Sequence, residues 1–209
     1  MQLSANQKVA FKLSIVGLLI VAAVFSRFWL ADWPNFKPVA AVAIFAGFLL
    51  GTRWLVWMVP LLILLISDWC IGFYDWPVMV SVYLSMLTAV YVGIVLARQF
   101  RQKALGPVQR VAGIALGSLS VSVLFFLTSN ASVVLAGWYP LSWTGLLESY
   151  VAGLPFLRFT VMGDFLFTMV LFGSHFAILA VISKRRAATV SRVPVIGSAA
   201  ATPRGPVRA

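Results

Sequence analysis

One cysteine, one histidine and five acidic residues are nearly all that this sequence offers of the side chains that usually carry chemistry. A single cysteine excludes an intrachain disulfide. One His and one Cys cannot fill the three or four ligand positions of a zinc site, so metalloprotease and zinc-deaminase chemistry is excluded. No G-x-x-x-x-G-K-[ST] loop is present, so the chain is no ATPase, and any use of ATP has to come from a partner. A serine hydrolase would have to use His175. That residue lies midway along an apolar stretch, far in depth from the acids, and reads better as a histidine satisfied by a neighbouring helix. Charge is scarce too: 10% of residues are charged, against about 25% in a soluble domain.

What is there is apolar. The chain is 62% hydrophobic with a mean hydropathy of +1.00. Six apolar stretches stand out, at 13–31, 38–51, 54–67, 78–97, 111–128 and 161–183. A span needs about 20 residues at 1.5 Å each to cross a core of about 30 Å. If the chain is threaded six times from the inside, Lys8, Lys12, Arg53, Arg98, Arg101, Lys103, Arg110, Lys184, Arg185, Arg186, Arg192, Arg204 and Arg208 fall on the inner side. The outer side receives only Arg27, Lys37 and Arg158, together with every acid: Asp32, Asp68, Asp75, Glu148 and Asp164. Cationic loops stay in the cytoplasm, so this split predicts that both the N and C termini are cytoplasmic. The expected fold class is therefore all-α: a polytopic membrane protein, a six-transmembrane-helix bundle with an outer interfacial segment. Residues 1–12 read as a cytoplasmic lead, 13–186 as the membrane domain and 187–209 as a disordered, basic cytoplasmic tail. A pI near 10.7 would suggest nucleic acid in a soluble protein. Here topology and anionic membrane lipid explain the positive charge, and no basic patch interleaves with aromatics, so nucleic acid is not expected as a partner. The first stretch is no cleavable signal peptide, because it lacks a small-residue cleavage site and runs into FSRFWLADW.

The second and third stretches are short, are joined by Gly51-Thr52-Arg53, and the third is interrupted by Pro60. Short or broken spans point to a binding site at membrane depth. A re-entrant hairpin over 38–67 is the alternative to two full crossings. Gly113, Gly117 and several serines in the fifth stretch favour close helix contacts. Residues 129–155 are too apolar for a solvated loop and too interrupted for a span. Leu146, Leu147, Tyr150, Val151 and Leu154 recur there at helical spacing, which predicts an interfacial helix lying over the bundle.

The densest polar cluster is SDWCIGFYDW, residues 67–76. Asp68 directly follows an apolar run, where an unpaired carboxylate is costly, so it should face the interior or a wet cavity. Its structural alternative is a partner for Arg27, Lys37 or Arg158, or a helix cap. If the helix continues, Cys70 and Tyr74 share a face as i,i+4 neighbours. Cys70 reads either as a small buried hydrophobe or as a soft ligand for a transition metal in a bound molecule. Trp29, Trp33, Trp69, Trp76, Trp138 and Trp143 fall outside, and Trp54 and Trp57 inside. An interfacial belt accounts for many of these, and the outer excess also fits an aromatic-walled pocket for a flat ligand. Ala43, Gly47 and Gly51 form a close-packing face, better read as intramolecular than as a dock for another membrane protein. The sequon at Asn130-Ala131-Ser132 is a common chance match.

Residues 10–185 resemble the substrate-binding S components of energy-coupling factor (ECF) vitamin transporters. The resemblance rests on six short helices, an acidic and aromatic outer face and the lack of an ATPase. It rests also on PNFKPVAAVAIFAGFLLGTRWLVWMVPLLILLISD, an F-x-P lead into a small-residue helix, a Gly turn and a helix ending in Asp. YVAGLPFLRFTVMGDFLF is similar to related bacterial six-helix proteins. Within the superfamily the chain looks most like the solitary cobalamin S components of Gram-negative bacteria. That resemblance implies a multi-pass protein of the bacterial inner membrane that takes up vitamin B12. It implies Cys70 as the axial ligand to the cobalt of the transported cobalamin, with loss of the upper cyanide as the one chemical step. Asp68, Tyr74 and Asp75 are expected around the ligand from their position alone. An ECF energising module is the implied partner, or none if the protein works alone. An S component for another vitamin or a metal ion is the alternative, as is a non-transporting membrane subunit of a larger complex.

Overall fold

The computed structural model describes residues 4–30, 32, 33 and 35–190. Six helices follow one another in the described residues: α1 (Ala5–Trp29), α2 (Val39–Leu50), α3 (Leu55–Ile71), α4 (Trp76–Gln102), α5 (Pro107–Leu135) and α6 (Trp143–Val190). The chain divides into two compact units, one up to Phe172 and one from Gly173 onward. In the described part of the second unit α6 continues to Val190, and the ring of His175 lies edge-on to Phe176. All the remaining packing described below belongs to the first unit.

Among the described residues four stretches are long and apolar enough to cross a membrane: Val9–Trp29, Trp76–Gln102, Pro107–Leu135 and Trp143–Arg185. The protein is thus a multi-pass helical membrane protein by length and composition. Helices α2 and α3 are shorter, with 12 and 17 residues. At 1.5 Å per residue α2 extends roughly 18 Å, well short of a hydrocarbon core of about 30 Å.

Helix α2 is the centre of the first unit. Eleven of its residues are buried, Ala41, Ala43, Ile44 and Ala46 completely. It packs against α4 through two glycines. A Cβ on Gly47 would lie 2.3 Å from the Val90 carbonyl oxygen, and one on Gly93 would lie 1.9 Å from that of Ile44. Backbones meet here because no side chain intervenes, which is the main way helices pack tightly in lipid. The small-residue face of α2 is therefore used within the chain. Gly117 of α5 instead gives room to the side chains of Val92 and Leu96 on α4.

The helix ends follow local chemistry. Ser4 and Gln7 form a reciprocal capping box at the start of α1. Pro77 and Pro107 sit in the first turns of α4 and α5, where a missing N–H costs nothing. Gly72, at φ 117°, ends α3, because an L side chain rarely adopts that conformation.

The lead expected at 1–12 includes the start of α1, which is helical from Ala5. Two expectations need correction. The interfacial helix expected in 129–155 is no separate element: residues up to Leu135 complete α5, and Trp143 already begins α6, which runs through Pro155. The true break is short, at residues 136–142, where Gly137 (φ 85°) and Pro140 turn the chain and the Ser142 hydroxyl caps the Gly145 N–H at 3.1 Å. A proline is tolerated inside a helix of a membrane bundle, and Pro155 does not end α6. Finally, the tail expected at 187–209 begins as the last residues of α6, and 191–209 lie outside the described residues.

Candidate functional site

The C-terminal ends of α1, α3 and α5 meet the N-terminal ends of α4 and α6, and the acids gather there. Asp68 is 1% exposed on the last turn of α3. Its Oδ1 lies 2.8 Å from Arg27 Nη1, on the last turn of α1. Its Oδ2 accepts a hydrogen bond from the Tyr83 hydroxyl of α4 at 3.0 Å. Arg27 Nη1 also donates to Ser67 Oγ at 2.6 Å. Both carboxylate oxygens are thus engaged, and three helices are pinned by one buried charge pair. Of the three partners expected for Asp68, the structure selects Arg27. Lys37 instead donates to the carbonyls of Leu30 and Trp33, the latter at 2.8 Å, closing the turn after α1. Burial and the nearby Arg27 charge lower its pKa. Arg158 lies over the Phe159 ring, 4.7 Å from its centroid.

Two adjoining cavities open beside this network. The inner one, about 260 Å³, is lined by Arg27, Asn35, Lys37, Tyr74, Thr160 and Asp164 together with apolar residues of α2, α3, α4 and α5. The outer one, about 380 Å³, has an aromatic wall of Phe125, Phe126, Trp138, Tyr139 and Phe156, with Ser129, Asn130 and Ser149 supplying polar groups. Asn35, Val82, Phe125 and Thr160 line both, so the two form one cleft with a charged inner chamber and an aromatic outer chamber. Cavities of about 300–1,000 Å³ are the usual size for a small organic ligand. Asn35, in the turn before α2, has φ 57°, a conformation that Asn tolerates better than most residues.

The outer chamber depends on a close approach between α5 and α6. A Cβ on Gly153 would lie 2.3 Å from Asn130 Oδ1, so a larger residue there would have to displace that amide. Asn130 Nδ2 donates to the Phe126 carbonyl at 2.8 Å, and Ser149 Oγ donates to the Asn130 carbonyl at 2.7 Å.

The residues expected around a ligand divide. Tyr74 lines the inner chamber, and burial and then the Asp68 charge push its phenol up to about 12. Asp68 stands behind the chamber wall and acts through Arg27. Asp75 is exposed and accepts a hydrogen bond from Trp138 Nε1 at 2.7 Å, tying the start of α4 to the turn after α5. Cys70 is a free, exposed thiol on α3 and lines neither chamber. It does not share a helical face with Tyr74, because α3 ends at Ile71. Among the described residues no group of three or more His, Cys, Asp or Glu could hold a metal ion by itself. Of the six tryptophans expected outside, only Trp138 lines the cleft. Trp29, Trp69, Trp76 and Trp143 are more than three-quarters exposed, as a membrane-interface belt requires.

Sequence reasoning passed over Asp164 as a site residue. It is 4% exposed on α6, accepts a hydrogen bond from Ser122 Oγ at 2.7 Å and lines the inner chamber. The signal was present: an acid inside the apolar run TVMGDFLF is expensive at membrane depth and marks function by default.

A family model described as "Family of unknown function (DUF6580)" matches residues 7–189. No curated protein and no solved structure matches the chain.

Proposed function

The chain belongs to the DUF6580 family, and we propose that it captures a small organic solute in the two-chambered cleft and carries it across the membrane. One observation carries this reading: a cleft of ligand size, charged at one end and aromatic at the other, at the end of the bundle where the acids collect. An acid such as Asp164 inside an apolar bundle, on the wall of a cavity that Arg27, Lys37 and Tyr74 also line, is costly and marks a functional site by default. The similarity to ECF S components makes a vitamin the favoured class of solute. In this reading all six helices belong to the membrane domain, both termini are cytoplasmic, the cleft opens to the outside of a bacterial inner membrane, and energy comes from an ECF module or the protein works alone.

Cobalamin is the particular vitamin that the exposure of Cys70 favours. The thiol stands on the same turn of α3 as Asp68, accessible to a metal carried by a ligand too large for the cleft alone. A thiolate is a soft donor suited to cobalt. Its electron pair would form the Co–S bond as cyanide leaves with its own pair, so the metal is neither oxidised nor reduced.

The test is binding by the purified protein of water-soluble vitamins, cobalamin included, read by co-purification and mass spectrometry. Val82→Trp fills the wall shared by both chambers and should weaken retention. Retention of no vitamin by wild type, or equal retention by the variant, would remove the cleft from the function.

A further inference from the structure

The inner chamber holds a buried carboxyl group, Asp164, with no basic partner among the described residues. Arg27 is committed to Asp68, and Lys37 to two backbone carbonyls. Tyr74, Tyr83 of α4 behind the wall, and Asp32, whose charge acts on Lys37, are further titratable groups on this side, and Arg158 lies over Phe159. Among the described residues no basic side chain comes within ion-pair distance of Asp164. Its one protein donor is the Ser122 hydroxyl, from α5.

That hydroxyl is shared. Ser122 Oγ lies 2.7 Å from Asp164 Oδ2 and 3.1 Å from the Ser118 carbonyl oxygen. A serine has one hydrogen to donate. When it goes to Ser118, the carboxyl must itself be the donor to Ser122, and so must be protonated. When Asp164 is ionised, the hydrogen turns to Oδ2 and the Ser118 carbonyl keeps only its helical partner. The same three atoms therefore satisfy a neutral and a charged Asp164, and the serine rotor switches between them. An ionised carboxylate buried at this depth without a cation is costly, whereas a protonated one is not.

We propose that Asp164 is the receptor for a positively charged nitrogen of the solute, an ammonium or amidinium group, and that binding exchanges the carboxyl proton for that cation. The empty cleft holds Asp164 protonated. The arriving cation forms an ion pair with the carboxylate, the proton passes to solvent, and the aromatic body of the solute lies in the outer chamber. The solute class is thus an aromatic or heteroaromatic molecule with one basic nitrogen. This rests on reading the cleft as a solute site.

Tryptamine and indole-3-ethanol make a suitable probe pair, since they share an indole ring and differ in charge. Infrared spectroscopy of the ligand-free protein at neutral pH should show a protonated-carboxyl band that Asp164→Asn removes. Ser122→Ala, which keeps the carboxyl and removes the rotor, should shift that band. Tryptamine should bind at least about tenfold more tightly than indole-3-ethanol, the lower end for a hydrogen bond to a charged group. It should also extinguish the band and release a proton to the buffer. In Asp164→Asn the two probes should bind alike. Equal binding of both by wild type, or absence of the band in the ligand-free protein, overturns the role of Asp164 and leaves the cleft intact as a solute site. Failure of both probes to bind overturns this role and its solute class, and the cleft itself then stands or falls on the retention of vitamins.

Discussion

Arg27 Nη1 stands 2.8 Å from Asp68 Oδ1, and the pair joins the last turn of α1 to the last turn of α3. Asp68 is 1% exposed, so its charge is tolerated only because Arg27 and Tyr83 occupy both of its oxygens. Removing one member of such a pair costs more than the pair itself contributes. Arg27→Ala should lower stability by about 3–5 kcal/mol in thermal or denaturant unfolding of the detergent-solubilised protein. The double change Arg27→Met, Asp68→Leu should recover a large part of that loss. Asp75→Asn, at the exposed bond to Trp138, should cost no more than about 1.5 kcal/mol. A single Arg27→Ala as mild as Asp75→Asn would show that the charge pair does not hold α1 to α3.

The crossing of α2 and α4 makes a sharper demand. Gly93→Ala would drive a methyl to 1.9 Å from the Ile44 carbonyl oxygen, and Gly47→Ala one to 2.3 Å from that of Val90. Backbone must move in both, so each should lose about 1–3 kcal/mol or more. Gly17→Ala and Gly173→Ala meet open space and should be neutral, within about 0.5 kcal/mol, or slightly stabilising. The four variants compared in one unfolding assay separate close packing from helix propensity.

Much of this was legible in the sequence, and the reasons differ from residue to residue. The four long spans are visible because about 20 apolar residues have few other uses. Asp68 is visible because an acid closing an apolar run needs a partner, and Arg27 was among the three candidates. Asp164 carries the same signal and differs only in lying inside its span rather than at the end. The start of α6 was not legible. Pro155 and the polar residues near it look like a break in one dimension, and only packing against α5 shows that the helix continues. The cleft was hidden for another reason. Periodicity gives the depth of Trp69 or Trp76 but not its direction, so the outer tryptophans suggested a pocket wall. In the structure that wall is made mostly by Phe125, Phe126, Tyr139 and Phe156, which no motif connects.

Topology can be measured directly. Lys103 and Thr144 are both exposed, in the turn between α4 and α5 and in the first turn of α6. Single cysteines placed there in a Cys70→Ser background should respond differently to an impermeant maleimide on intact cells. The cationic bias predicts labelling at 144 and protection at 103. Labelling at 103 alone would invert the protein in the membrane.

Tyr74 gives a pH dependence with a definite sign. Its folded-state pKa is raised to about 12, by burial first and by the Asp68 charge second. An unfolded tyrosine ionises near 10. The contribution is therefore fully present below about pH 10 and is lost as pH rises through about 12, because the unfolded chain releases its proton first. Thermal stability should fall over that interval, and Tyr74→Phe should make the fall shallower. An unchanged slope in the phenylalanine variant would mean that Tyr74 ionises freely.

Cys70 decides between cobalamin and a smaller solute. The thiol is exposed, so in the ligand-free protein it should react readily with a water-soluble maleimide. If the cobalt of a corrinoid is held there, added cobalamin should protect Cys70 from alkylation and change the absorption spectrum of the cobalt. Cys70→Ser keeps the size but offers a hard oxygen in place of a soft sulfur. It should abolish the spectral change and the loss of cyanide, and leave whatever binding the aromatic chamber supplies. Because Cys70 lines neither chamber, Val82→Trp should weaken retention of the corrinoid without abolishing the sulfur–cobalt signature at saturating concentration. A serine variant with the wild-type cobalt spectrum, or a Cys70 that alkylates at the same rate with and without cobalamin, would make Cys70 an incidental surface thiol. The solute would then have to be one that the two chambers can enclose by themselves.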